Sequence, residues 1–227
     1  MNRLSDFMLP PARSTLASET DALFNFINLV SVILLLGITI TIIYFAIKYR
    51  RKSSDDVTPV ITHNNTLEIT WSVIPLILVM IVFGWGYNGY LNLYTPPDEA
   101  YEVRAVAKTW LWEFRYQNGN VSVGELHVPA NRPVKLTMSS EDVIHSFYVP
   151  DFRIKKDVLP NRYTSVWFEA TEAGESQVFC TEYCGTQHSN MLATVIIHEQ
   201  EDFDTWLATA GSADDDLSPV ELGRSLV

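Results

Sequence analysis

Charge is absent from two long stretches of this chain. Residues 22–47 and 69–97 contain no Asp, Glu, Lys or Arg and are rich in Ile, Leu and Val. About 20 apolar residues cross a bilayer as a helix, so the pattern predicts spanning helices over about 22–47 and 69–94. Pro75 falls in the first turns of the second span, where a missing amide donor is best tolerated. Trp71 and Tyr94 sit near its ends, as interfacial aromatics do. Gly84 and Gly86 suggest close contact with another helix, and Asn25 and Asn28 are expected to face the interface or a partner helix. Residues 1–21, with Pro10 and Pro11, predict an irregular arm and hold no apolar run long enough for a signal peptide.

After residue 100 the period changes to two. Pro133-Val134-Lys135-Leu136-Thr137-Met138 alternates as a half-buried strand should. Further strands are expected at 101–106, 110–116, 125–128, 146–149, 165–169, 176–180 and 193–198, with turns at Asn118-Gly119-Asn120, Pro129 to Pro133, Pro160-Asn161 and Ala173-Gly174. Eight short strands in about 100 residues predict an antiparallel Greek-key sandwich. The expected class is therefore an α+β membrane protein, a two-helix transmembrane hairpin followed by an all-β sandwich. Its divisions are an arm (1–21), a hairpin (22–97), a β domain (98–200) and an acidic tail (201–227), read as mobile.

Charge orients the hairpin. Lys48-Tyr49-Arg50-Arg51-Lys52 follows the first span directly, which marks that loop as cytoplasmic and both the N-terminus and the β domain as outer. The formal net charge of −11 lies wholly on residues 95–227, because residues 1–94 balance. Such a surface excludes nucleic acid as a partner and suits a basic protein.

The candidate chemistry is concentrated in Cys180-Thr181-Glu182-Tyr183-Cys184-Gly185-Thr186-Gln187-His188-Ser189-Asn190-Met191, which holds both cysteines of the protein. Two thiolates, an imidazole and a thioether suit copper over harder-ligand metals. A disulfide or inert buried thiols also fit two cysteines four apart. Zinc fits less well, since its structural sites favour C-x-x-C pairs and methionine is not a usual ligand. A single blue-copper site needs one cysteine, so the second makes a thiolate-bridged pair of coppers plausible. A second histidine should then exist upstream, and five histidines are available: His63, His127, His145, His188 and His198. His63 reads as a loop residue, and His127 and His198 as half-buried strand residues.

The segments Glu141-Asp142-Val143-Ile144-His145-Ser146-Phe147 and Cys180 to Met191 resemble the copper A site of cytochrome c oxidase subunit II. The resemblance implies a cupredoxin-like sandwich and two copper ions held by His145, Cys180, the Glu182 carbonyl, Cys184, His188 and Met191. It implies that the Glu182 carboxylate helps hold magnesium at the interface with subunit I. In Lys108-Thr109-Trp110-Leu111-Trp112 it makes Trp110 the point where electrons enter from cytochrome c, although Leu111 replaces an aromatic common in the family. It places Glu141 and Asp142 in docking of cytochrome c, and Glu68 at the mouth of a proton-uptake path, against the plainer role of a helix-start carboxylate. Phe152 to Tyr163 matches a segment lying against subunit I, with Asn161 where glycine is usual; asparagine tolerates positive φ best after glycine. Ser218 to Leu226 resembles the opening of a fused cytochrome c module, but no C-x-x-C-H follows for haem attachment.

The function implied is electron transfer from cytochrome c to haem in subunit I, for oxygen reduction coupled to proton pumping. The implied setting is the bacterial inner membrane, among the other oxidase subunits, with the copper domain on the periplasmic side. Three rivals stand beside it. A quinol oxidase homologue lacks the copper ligands present here, nitrous oxide reductase carries no such hairpin, and a membrane-anchored copper chaperone or sensor needs no catalytic partner.

Overall fold

The computed structural model describes residues 8–57 and 59–215, with side chains to residue 210. Two long helices lead. Helix α1 spans Thr15–Lys48 and α2 spans Asn65–Tyr94. Each starts on a side-chain cap: Ser14 Oγ accepts from the Ala17 N–H at 3.1 Å and Asn64 Oδ1 from the Leu67 N–H at 3.1 Å. Both helices are long and apolar enough to cross a membrane. Two polar side chains of the first span bond within the helix, as lipid favours: Asn28 donates to the Phe24 carbonyl at 2.8 Å and Thr41 to Gly37 at 2.7 Å. Of the two glycines expected at the helix contact, Gly86 faces Leu23, whereas Gly84 faces open space.

The first helix begins earlier than charge patterning indicated, and the arm reading needs correction. Residues 15–21 are the first turns of α1, and Leu16, Ala17 and Asp21 are buried against the β domain. Arg13 forms backbone hydrogen bonds with Asp151 and Thr171, and its side chain reaches Glu172 and the Glu175 carbonyl. Asp21 pairs with Arg153 at 2.9 and 3.1 Å, both side chains being less than a tenth exposed. Trp167 donates to the Asn92 carbonyl at 2.9 Å near the end of α2. The hairpin and sandwich are thus joined by buried polar contacts.

The β domain has two five-stranded sheets. One has the order β3 (Val121–Val123), β2 (Leu111–Arg115), β1 (Tyr101–Lys108), β5 (Pro133–Ser140), β8 (Thr164–Glu169). The other has β4 (Glu125–Pro129), β10 (Leu192–His198), β9 (Gly174–Cys180), β6 (His145–Val149), β7 (Ile154–Val158). Alternation in β5 buries Val134, Leu136 and Met138 against Trp112, Phe114, Phe147 and Phe168 in one core. The sandwich is not wholly antiparallel: β1 pairs with β5 and β4 with β10 in parallel. Strands β3 and β7 were not legible, being three residues long and charge-rich respectively. Asn161 takes φ +58°, as expected of the residue in glycine's usual place, and Arg153 takes φ +57°.

The tail reading is also corrected. Helix α3 spans Gln200–Asp215. Phe203 is fully buried and meets Tyr101 edge-on at 5.4 Å, and Trp206 stacks on His127 at 4.0 Å. Phe203, Trp206 and Leu207 repeat at helical spacing, a stripe masked in the sequence by surrounding carboxylates. His127 Nδ1 lies 2.9 Å from His198 Nε2, His127 Nε2 lies 3.3 Å from Glu125, and burial lowers both histidine pKa values. Ser218 to Leu226 lies outside the described residues.

Phe203→Ala should destabilise the β domain by about 3–5 kcal/mol through loss of a buried ring. Chemical denaturation followed by near-ultraviolet circular dichroism reads this; a change below about 1 kcal/mol contradicts docking of α3.

Candidate metal centre

Five side chains converge where β6, β9 and the β9–β10 loop meet. His145 opens β6, and Cys180 closes β9. The two strands pair with Phe147 opposite Cys180, which sets the imidazole beside the first sulfur. The loop returns at once: the Cys180 N–H donates to the Met191 carbonyl at 3.3 Å and the Thr181 N–H to Ser146 at 3.1 Å. A 3-10 turn over His188–Asn190 tightens it, with the His188 N–H on the Gly185 carbonyl at 3.1 Å.

The donor atoms lie close together. Cys180 Sγ is 3.8 Å from Cys184 Sγ, 3.9 Å from His145 Nδ1 and 3.3 Å from the Glu182 carbonyl oxygen. Cys184 Sγ is 3.5 Å from His188 Nδ1 and 3.7 Å from Met191 Sδ. His145, Cys180, Cys184 and Met191 are buried, and His188 is half-buried. Both cysteines are free, so the disulfide alternative is not realised. Burial pushes both thiols up. At Cys180 the His145 hydrogen bond and the Glu182 and Ser146 backbone outweigh burial, and the thiol ionises below its ordinary range. Cys184, facing the Cys180 charge, is held above that range. Soft sulfur donors, Nδ1 atoms and one carbonyl around a buried point fit copper.

Around the donors the structure orders a further layer. His145 Nε2 lies 2.8 Å from Asp142 Oδ1. Asp142 also accepts from Thr109 and Val143 N–H groups. Burial opposes its charge, but hydrogen bonds from Thr109, His145 and Val143 prevail and hold its carboxyl well below the usual range. Trp112 is fully buried, edge-on to His145 at 6.2 Å. Trp110 is 38% exposed and lies against Gly185: a β-carbon there sits 3.3 Å from the indole nitrogen. Gly185 has φ +120°, open to glycine and strained for other residues.

Other residues singled out in the sequence stand apart from the donors. Glu141 is exposed and lies 3.4 Å from Lys108 and 4.0 Å from Arg115. Glu182 turns an exposed carboxylate outward while its carbonyl faces Cys180. Glu68 lies in the first turn of α2, far along the chain from the sandwich. His63 is exposed beside Thr62. The contacts of Thr109, Gly185 and Ser140 at this site were not foreseen. Aspartate three residues before His145 was the one available signal, and it reads equally as a surface charge.

Comparison with known proteins gives one pattern. Residues 3–84 match the family described as cytochrome C oxidase subunit II, transmembrane domain, and residues 121–198 the one described as cytochrome C oxidase subunit II, periplasmic domain. Cytochrome c oxidase subunit 2 of Synechocystis is 28% identical, over 91% of this chain and 76% of its own length. That of Thermostichus vulcanus is 30% identical, over 88% of this chain and 77% of its own length. The crystal structure of the periplasmic domain of subunit II of cytochrome oxidase from Bradyrhizobium japonicum superposes with a TM-score of 0.51 at 26% identity, covering 52% of this chain and 99% of that one.

Gly185→Ala should introduce backbone strain on the order of 1–3 kcal/mol and push the indole of Trp110 outward. Thermal unfolding and acrylamide quenching of tryptophan fluorescence measure the two effects. Native stability with native quenching refutes the contact.

Proposed function

The chain belongs to the cytochrome c oxidase subunit II family, and from that premise we propose that its periplasmic domain takes electrons from a cytochrome c at a dinuclear copper site and passes them to haem in subunit I. Oxygen reduction and proton pumping then occur in the assembled oxidase. The observation that carries this reading is the convergence of His145, Cys180, Cys184, His188, Met191 and the Glu182 carbonyl on one buried point.

When bound there, paired copper supplies reversible one-electron chemistry. The protein does the rest. Cys180 and Cys184, with sulfurs 3.8 Å apart, would hold the copper as thiolates. His145 presents Nδ1, because its Nε2–H is committed to Asp142. Met191, fully buried, offers a weak thioether and closes the site to water. Burial in a hydrogen-bonded loop limits rearrangement of the donors, which suits fast electron transfer. Trp110 offers a part-exposed ring in contact with the ligand loop, where a donor protein's electron arrives. The −11 charge steers a basic cytochrome, with Glu141 at the rim.

Two carboxylates take roles beyond copper. Glu182 faces outward next to the site, and as a hard oxygen ligand it helps hold magnesium against subunit I. Glu68, at the cytoplasmic start of α2, assists proton uptake. The basic loop after α1 sets that side as cytoplasmic in a bacterial inner membrane, with the N-terminus and β domain periplasmic.

The purified protein should bind two coppers per chain with a mixed-valence electron paramagnetic resonance signal, and Cys184→Ser should abolish it. A stoichiometry of one, or a signal from a single localised copper, would sink the reading. Removal of the Met191 thioether should leave copper bound with an altered spectrum.

Glu182→Gln in the assembled oxidase should deplete magnesium while sparing the copper spectrum, and Glu68→Gln should slow turnover without touching either metal. Metal analysis and steady-state oxygen consumption separate these. Native magnesium content in the first variant, or native turnover in the second, removes the respective role.

A further inference from the structure

Asp142 lies three residues before the ligand His145, yet its carboxylate does not point freely to solvent. Oδ1 lies 2.8 Å from His145 Nε2, accepts from the Val143 N–H at 2.7 Å and lies 3.2 Å from the Ser140 hydroxyl. Oδ2 accepts from the Thr109 N–H at 2.6 Å and from the Thr109 hydroxyl. The residue after Thr109 is Trp110, whose ring lies on Gly185 of the ligand loop. Two segments 33 residues apart are therefore tied through one side chain.

We propose that Asp142 is a positioning residue that holds the metal ligand His145 and the turn carrying Trp110 in one frame. The inference rests on the copper reading above. An ionised carboxylate is an acceptor only, so the His145 nitrogen facing it carries the proton and Nδ1 keeps its lone pair towards Cys180. Such a partner fixes ring orientation and raises ligand basicity. The opposite oxygen pins the Thr109 backbone and so sets where the indole rests. Glu141 provides the internal contrast. It is exposed, and its carboxylate faces only the surface cations Lys108 and Arg115 at 3.4 and 4.0 Å.

An amide cannot replace this carboxylate. In Asp142→Asn one end is a donor, and it must face either the His145 Nε2–H or the Thr109 N–H, both donors. The variant, prepared in the assembled oxidase, should retain copper about 10–100-fold less tightly against a chelator. Its copper spectrum should change and its midpoint potential should rise, because a less basic imidazole favours the oxidised ions less. The salt dependence of its association with cytochrome c should be close to native. Glu141→Gln should show the converse, a native spectrum with altered salt dependence. A second measurement needs no variant: in the unaltered protein, nuclear magnetic resonance should show the His145 Nε2–H exchanging slowly with deuterium. Fast exchange of that proton overturns the proposal. So does an Asp142→Asn variant with native copper retention, spectrum and potential whose only defect is in salt-dependent association. A native chain that binds no copper overturns the underlying reading instead, while slow exchange of the ring proton is independent of metal loading and still reports the hydrogen bond.

Discussion

The pairing of β6 with β9 is the constraint on which the rest depends. It places Phe147 opposite Cys180, and so His145 beside the first sulfur. Every other donor is delivered by the chain between Cys180 and Met191, whose ends are joined by the Cys180 N–H on the Met191 carbonyl. A loop anchored at both ends on a packed sheet has little freedom to rearrange, and buried donors have little water to exchange with. The same strand ends carry Phe147 and Val178 into the core, so the forces that close the sandwich also assemble the site.

Electrostatics divide between field and frame. The acidic surface of residues 95–227 acts at range and is screened by salt over about 8–10 Å. Asp142 belongs to the frame, with both oxygens occupied by named donors, whereas Glu141 next to it remains exposed. Adjacent carboxylates of equal formal charge thus have different surroundings and different consequences. At the sulfurs, burial and the neighbouring Cys180 hold the Cys184 thiol up, whereas hydrogen bonds from His145 and the backbone bring Cys180 down against burial.

The membrane and outer parts meet through groups that carry no metal. Arg153, in a left-handed conformation after a 3-10 turn, reaches Asp21 of α1 and the carbonyls of Pro10 and Pro150. A buried pair of this kind is not a large net source of stability, but loss of either partner leaves an uncompensated charge. Its effect is on orientation. It fixes the first helix relative to the copper domain, together with the Trp167 hydrogen bond to Asn92.

Periodicity determined the two long helices, most of the strands and the membrane placement, because those follow from which residues must avoid water. Residue chemistry determined the donor set: soft ligands cluster within twelve positions, and resemblance supplied His145. Tertiary structure alone decided the remainder. Strands β1 and β5, and β4 and β10, run parallel because non-local pairing is not encoded in local alternation. Residues 15–21 are helical, and Gln200–Asp215 folds back as α3, because Leu16, Phe203 and Trp206 find a core that the flanking charges conceal. Asp142 reads in sequence as one more surface carboxylate. Only the approach of Thr109, in the turn after β1, and of His145 from β6 makes it an acceptor shared by two segments, since a hydrogen-bond partner 33 residues away leaves no local pattern to read.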